Sequence, residues 1–398
     1  MLPRAISPTL HRLAASFPVL AITGPRQSGK TTLARALFAD KPYVSLEDPI
    51  ERAFAQEDPR GFLARFAQGA VFDEAQRWPD LFSHLQGMVD ADRRPGRFVL
   101  TGSQQFGLLA GVSQSLAGRV GMTRLLPLAA NEIPAVEIPA VPEGGLSLNG
   151  LMLKGGYPAL HARALGQVME PSDWFASYVA TYVERDVRQV LNIQNLPTFQ
   201  RFLRLCAGRV GQLLNVSALA SEAGITAHTA KSWLAVLESS DLIHRLPPYF
   251  RNFGKRLVKM PKLYFLDTGL ACWLLGIRSE DVLALHPLRG ALFENWVVAE
   301  CVKSRYNRGL PADLYFWRDN NGLEADLMFE QGEQLQMVEI KSGQTVTSDM
   351  VRAGQRAARM AEDMALAPWL IHGGDESHER SGVKIWGWQD VHAAMGRV

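Results

Sequence analysis

Apolar positions along this chain keep two rhythms. Short apolar runs recur at Phe17–Ile22, Pro42–Leu46 (broken only by Ser45), Ala70–Phe72 and Phe98–Leu100, each stopped by polar or glycine residues. Runs of that length and closure predict strands buried on both faces. Between them the apolar residues move to helical spacing: residues 1 to 16, Leu33–Phe38, residues 50 to 68 (Ala53, Phe54, Phe62, Leu63, Phe66, with Gly69 as the stop) and Leu81–Val89. Strands that alternate with helices predict an α/β domain with a parallel sheet, over residues 1–135.

The pattern changes after that. Residues 134 to 149 are rich in Pro, Glu and Gly and read as a linker; Gly155-Gly156-Tyr157-Pro158 reads as a turn. Trp174, Phe175, Tyr178, Val179, Tyr182, Val183 and Val187 recur at three and four residues and predict one long amphipathic helix over 173–191. Within it, Glu184, Arg185 and Asp186 are solvated or ion-paired positions, or else respond to a ligand. Val216–Thr226 and His228–Leu237 read as helix, glycine turn and second helix, followed by strands at Leu242–Leu246 and Lys262–Leu266. That is the layout of a winged helix-turn-helix. From Leu285 a helix bearing Leu292–Glu300 leads into strands at Leu314–Trp317, Ala325–Phe329 and Gln336–Lys341. The division expected is 1–135, 136–205 as linker and helical segment, 206–283, and 284–398. A length of 398 residues suits several domains.

Composition narrows the partners. With 47% hydrophobic and 21% charged residues and a net charge of +2, no global field advertises nucleic acid, so any such surface is local. Cys206, Cys272 and Cys301 are far apart and fit neither a zinc site nor a disulfide framework. The N-terminus has no hydrophobic leader core and no stretch approaches the about 18 apolar residues of a spanning helix. A cytoplasmic location and no membrane partner are expected.

The candidate chemistry begins at Gly24-Pro25-Arg26-Gln27-Ser28-Gly29-Lys30-Thr31-Thr32, which follows the first strand and opens a helix with the spacing G-x-x-x-x-G-K-[ST]. Glycines let successive N–H groups converge on one anion, and the helix start adds its partial positive charge. Lys30 is then the residue for the β- and γ-phosphates of ATP, and Thr31 the hydroxyl for Mg²⁺. The third strand ends in Asp73 and Glu74. Behind a phosphate loop that pair reads as Asp73 supporting Mg²⁺ and Glu74 activating the attacking water. The next strand ends in polar groups, where Ser103, or failing that Thr101, is the candidate γ-phosphate sensor. Arg119 is either a finger that neutralises transition-state charge, in the same or a neighbouring subunit, or a surface cation on a helix.

Two further constellations lie in the second half. Residues 206 to 262 hold Arg209, Lys231, Arg245, Arg251, Lys255, Arg256, Lys259 and Lys262 against Glu222, Glu238 and Asp241, a local basic excess that suits DNA phosphates. The second helix offers few base-reading side chains, so a purely structural winged helix stands beside the DNA reading. In the last segment Glu339 and Lys341 share a strand face, and Asp326 lies on the preceding strand of a hairpin through Gly332. With Glu294 from the helix they form a candidate nuclease-like Mg²⁺ site, Lys341 serving the attacking water or the developing charge.

Together these residues resemble a widespread prokaryotic family of AAA-type ATPases with a C-terminal domain of unknown function. The first half carries the likeness in Gly24–Thr32, Val71–Gln76, Leu100–Gln104 and Leu116–Arg119. The second half carries it in Gly155–Pro158, Tyr182–Val187, Asp267–Leu270, Phe293-Glu294, Glu324–Asp326 and Val338–Gly343. The resemblance implies an ASCE-type P-loop ATPase core, a winged helix and a restriction-endonuclease-like α/β module, in a homo-oligomer such as a ring. One departure is that beyond Arg318–Gly322 only Glu324 offers Asp326 a second carboxylate, which leaves the number of metal ions open. Three functions compete: an Mg²⁺-dependent ATPase working on nucleic acid, a nucleotide-gated protein-interaction switch with a silent nuclease-like module, and an ATP-dependent metal-requiring nuclease.

Overall fold

The unbroken apolar runs become the interior of a parallel sheet of β1 (Val19–Thr23), β2 (Tyr43–Ser45), β3 (Ala70–Asp73), β4 (Phe98–Thr101) and β5 (Val120–Arg124), in the order β2-β3-β4-β1-β5, whose interior strands are β3, β4 and β1. The protein is described here by a computed structural model, which covers residues 2–103, 115–133, 147–161, 169–183, 195–249, 259–318, 323–359 and 364–397. Its residues group into two units, one of 1–128 with 239–241 and 306–310, the other of the remainder.

In the first unit, β1, β3 and β4 are buried along their whole length, since helices cover both faces of the sheet. Successive strand residues serve opposite cores. Phe72 packs with Phe62, Phe66, Trp78, Phe82 and Phe98, while Val71 packs with Leu10, Leu20, Ile22 and Leu33. The period of two is the reason an apolar run, and not an alternating one, was needed here. β5 is an edge strand whose Val120-Gly121-Met122-Thr123-Arg124 alternates in burial, so no apolar run announces it. The helical stretch at 50–68 is two helices, Pro49–Glu57 and Pro59–Ala64. Pro59 has no N–H to continue the first, and the Asp58 carboxylate accepts from Gly61 N at 2.9 Å to cap the second.

In the second unit the helix expected over 173–191 is interrupted. Regular α-helix runs Pro171–Tyr178 and passes into a π-helical turn at Val179–Val183. At the transition Thr181 Oγ1 donates back to Ser177 O at 2.6 Å, a bond that competes with the regular helical ladder. Glu184, Arg185 and Asp186 lie outside the described residues, as do Arg251, Lys255, Arg256 and Asp319.

Two motifs far apart in sequence meet nearby. Gly155 (φ 70°) leaves no room for a side chain, since a Cβ there would fall 2.3 Å from Asp267 Oδ1, and Gly156 N donates to Asp267 Oδ2 at 2.7 Å. The helices Leu196–Ala207, Val216–Ala223 and Ala227–Ser239 follow. Asn215 caps the second through Ala218 N, Gly224 ends it at φ 74°, and Thr226 Oγ1 accepts from Thr229 N to start the third. Trp233 meets Phe199 and Phe202 edge-on with centroids 5.2 and 5.1 Å away, which fixes the three-helix core. An antiparallel pair, β6 (Ile243–Leu246) and β7 (Lys262–Phe265), comes next.

The C-terminal sheet has six strands: β8 (Tyr315–Arg318), β9 (Glu324–Gln331), β10 (Gln334–Lys341), β11 (Trp369–His372), β12 (His378–Arg380) and β13 (Val383–Gly387), ordered β12-β13-β11-β10-β9-β8. β9 and β10 form the hairpin expected through Gly332, which takes φ 62° at the first position of a two-residue turn. β11 and β13 run parallel to β10, beyond the last element read from the sequence.

Candidate functional site

Strand order brings the phosphate loop and the acidic strand end to one edge. β1 ends at Thr23 and turns through Gly24, whose φ of 142° and a Cβ that would fall 2.1 Å from Leu125 O admit only glycine. Gly29, at φ 92°, opens the helix Lys30–Leu37. Pro25 and Ser28 are buried, Arg26 and Thr31 half-buried, and Gln27 and Thr32 exposed. Arg4, from before the first helix, donates to Ser28 O (2.8 Å) and Leu126 O (2.6 Å) and so pins the loop from outside the motif.

Lys30 is folded into the loop, its Nζ 3.0 Å from Gly24 O and 2.8 Å from Pro25 O. Burial lowers its pKa to about 8 in spite of the opposing pull of Glu74 and Asp73. Asp73, at the end of β3, collects three hydroxyls. Thr31 Oγ1 lies 2.9 and 3.0 Å from its two oxygens, Tyr43 OH donates at 2.8 Å, and Thr101 Oγ1 donates to Oδ1. Burial, then the bond to Asp73, pushes the Tyr43 phenol up to about 12. Glu74 leaves the strand in the left-handed region (φ 53°), which costs of order 1–3 kcal/mol, and its carboxylate takes partners other than those of Asp73. It accepts from Ser103 Oγ at 3.1 Å and from Gln76 Nε2.

The two candidate sensors therefore hold the two carboxylates, Thr101 on Asp73 and Ser103 on Glu74. A hydroxyl and a carboxylate already in contact at the start of the helix form a donor set that suits Mg²⁺ bound with a nucleotide.

Arg119 stands elsewhere. It sits in a turn, not a helix, and its carbonyl accepts from Val19 N (3.2 Å) at the amino edge of the sheet, a strand length of roughly 16 Å from the loop. Its guanidinium is paired with Asp90 at 2.7 and 2.9 Å, which also holds the Asp90 carboxyl below its usual range. Arg124, by contrast, does stand at the carboxyl edge, paired in register with Thr23, its Nη1 3.0 Å from Tyr306 OH and 3.7 Å from Asp241. No motif marks Arg4, Tyr43 or Arg124; strand order sets the positions of Tyr43 and Arg124, and the segment before the first helix that of Arg4.

In the second unit, Glu294, Asp326, Glu339 and Lys341 do come together. Val338 pairs with Leu327, so Asp326 stands beside Glu339. Lys341 Nζ lies 2.6 Å from Glu339 and 3.4 Å from Asp326, and Ile340 N donates to Asp326 Oδ2 at 2.8 Å. Burial and the neighbouring Asp326 raise Glu339 to about 7, and burial likewise raises Glu294. Two residues of β7 enter the cluster. Lys262 Nζ, on a side chain 4% exposed, lies 2.9 Å from Glu294 Oε1 and pairs with Glu324; Tyr264 OH donates to Glu294 at 2.5 Å. Arg318 takes the other oxygen of Glu324 at 3.3 Å.

Each carboxylate is thus matched by an ammonium, guanidinium, phenol or amide. Among the described residues no three His, Cys, Asp or Glu side chains are placed to hold a metal ion. The donor set does not fit the Mg²⁺ expected there.

Part of the basic excess of 206–262 is taken up in ion pairs, while among the described residues Lys231 and Lys259 are exposed. Arg209 pairs with Glu222, Arg245 with Glu238, and Lys262 is in the carboxylate cluster. Among the described residues no helix is long and apolar enough to cross a membrane.

A parallel sheet with a glycine loop after β1 and an Asp-Glu pair after β3 defines a P-loop ATPase fold of the AAA type. Residues 16–134 match the model of the AAA domain, 146–281 a domain of unknown function (DUF8612), and 289–390 another (DUF4143). Uncharacterized protein Rv2008c of Mycobacterium tuberculosis and uncharacterized protein Mb2031c of Mycobacterium bovis are each 33% identical over 338 residues, covering 84% of this chain and 73% of theirs. The chain belongs to their family, AAA-type P-loop proteins whose C-terminal part is a domain of unknown function. Among solved structures, the Walker-type ATPase PABY2304 of Pyrococcus abyssi is similar at 15% identity and a TM-score of 0.45, over 69% of this chain and 96% of that one. A DNA replication initiation factor is similar at 13% identity and a TM-score of 0.27, over 56% and 69%.

Proposed function

We propose that the protein is an Mg²⁺-dependent ATPase that couples hydrolysis to work on nucleic acid. The observation that carries the reading is the meeting of Thr31, Asp73 and Glu74 at the carboxyl edge, beside the loop that ends at Gly29. In this reading the loop amides and Lys30 hold the β- and γ-phosphates, so Lys30 must exchange two carbonyls for phosphate oxygens. Thr31 and Asp73 hold Mg²⁺, which when bound neutralises phosphate charge. Glu74, whose partners are other than those of Asp73, orients and deprotonates the water, and Ser103 fixes the Glu74 carboxylate. Arg119 stands too far from its own loop to reach a nucleotide there, so a finger role would fall to a neighbouring copy in an oligomer. The three cysteines are buried free thiols, which suits a reducing cytoplasm.

The helices Val216–Ala223 and Ala227–Ser239 with β6 and β7 are read as a winged helix, the surface for nucleic acid. A second reading, a nucleotide-gated switch that acts on a protein, is favoured by the internal pairing of Arg209, Arg245 and Lys262. Steady-state ATP hydrolysis with duplex, single-stranded and branched DNA, over a salt series, separates the two. Stimulation by one DNA form that fades steeply with salt supports the first. Turnover indifferent to every DNA supports the second, and no Mg²⁺-dependent turnover above a Lys30→Ala control refutes both.

A further inference from the structure

The carboxylate cluster of the second unit has the residues of a metal site and the contacts of something else. Lys262 is not part of the strand pattern that carries Asp326, Glu339 and Lys341. It arrives from β7, the strand paired with β6 behind the helix-turn-helix, and is buried. Its ammonium lies 2.9 Å from Glu294 Oε1, pairs with Glu324, and feels the charge of Asp326 as well. Those are three of the carboxylates a divalent cation in this cluster would need. Tyr264, two residues on and therefore on the same face of β7, adds a hydroxyl to Glu294 at 2.5 Å. The main chain fixes the strand in place, for Phe265 N donates to the buried Asn295 Oδ1 at 2.6 Å and Asn295 Nδ2 returns to Phe265 O at 2.9 Å. Asn295 is the neighbour of Glu294 on the helix Arg289–Asn307, so β7 and that helix are held in one register.

We infer that Lys262 stands in the place of a divalent cation, so that the nuclease-like cluster is closed by an internal ammonium and serves as a charged joint clasping β7 to the helix and sheet. The joint needs no metal: Lys262 and Lys341 supply the positive charge, and each carboxylate keeps a hydrogen-bonded partner. This assignment goes beyond the ATPase reading and does not depend on it.

The probe is Mn²⁺, counted by electron paramagnetic resonance on the nucleotide-free full-length protein, in which the phosphate loop lacks its nucleotide oxygens. Wild type is expected to bind no Mn²⁺ that Asp326→Asn removes. Lys262→Met, which vacates the ammonium's position while keeping the stem, is expected to gain a single tightly bound Mn²⁺, lost again when Asp326→Asn is added. Circular dichroism and the thermal midpoint establish that the variants are folded. Wild-type Mn²⁺ binding that disappears in Asp326→Asn overturns the assignment, as does a folded Lys262→Met that gains none. Should Lys262→Met fail to fold, the comparison of wild type with Asp326→Asn decides alone. Loss of ATP turnover by Lys30→Ala or Glu74→Gln leaves these outcomes unchanged, so the two accounts fail separately.

Discussion

Lys30 is buried at a cost to folding, and replacing it has a calculable effect. Its pKa is about 8 in the folded chain against the ordinary 10.5. Between those values the unfolded chain holds more protons than the folded one, so stability rises with pH across that window. Below pH 8 the penalty is at full size. The separation corresponds to about 3 kcal/mol at 1.36 kcal/mol per pKa unit. The bonds to Gly24 O and Pro25 O offset part of this when they are removed, at about 0.5–1.5 kcal/mol each. Lys30→Met in the nucleotide-free protein should therefore be more stable than wild type at pH 7, by on the order of 1–3 kcal/mol, while losing ATP affinity. Urea unfolding at pH 7 and again near pH 10 reads the effect. The gap should shrink at the higher pH, where wild-type Lys30 is neutral. A variant less stable than wild type at pH 7, or a gap that does not change with pH, would refute the reasoning.

Other substitutions test other contacts. Gly24→Ala places a methyl where the Leu125 carbonyl already lies, 2.1 Å from the added Cβ, and should abolish nucleotide binding and lower the thermal midpoint by several degrees. Thr101→Val removes one buried hydroxyl from Asp73 with little change of shape. It should cost about 1.5–3 kcal/mol in urea unfolding and weaken Mg²⁺-dependent more than Mg²⁺-independent nucleotide binding, measured by calorimetry.

The parts legible in the sequence are those whose signal is contiguous. Gly24–Thr31 and Asp73-Glu74 declare themselves because backbone geometry and strand ends impose them locally. β1, β3 and β4 are visible as apolar runs because both faces of the sheet are covered there. The hairpin of β9 and β10 was readable from its period of two and from Gly332. What escaped comes from distant segments that meet only in the fold. Arg4 under the loop, Tyr43 on Asp73, and Lys262 and Tyr264 on Glu294 are separated from their partners by tens of residues or more. β5 escaped because an edge strand need not be apolar. For the same reason the sequence could not reveal that Arg119 lies at the opposite edge from the loop, tied to Asp90. Charge counting over 206–262 does not say which charges neutralise one another: Arg209, Arg245 and Lys262 are ion-paired, whereas Lys231 and Lys259 are exposed.

The central claim, that Asp73 and Glu74 complete an ATP-hydrolysing site on the phosphate loop, is tested most directly by identifying the nucleotide retained after incubation with ATP and Mg²⁺. Wild type should be recovered with ADP and Glu74→Gln with intact ATP, at comparable occupancy. Intact ATP on both proteins, or ADP on Glu74→Gln at the wild-type rate, would contradict the account.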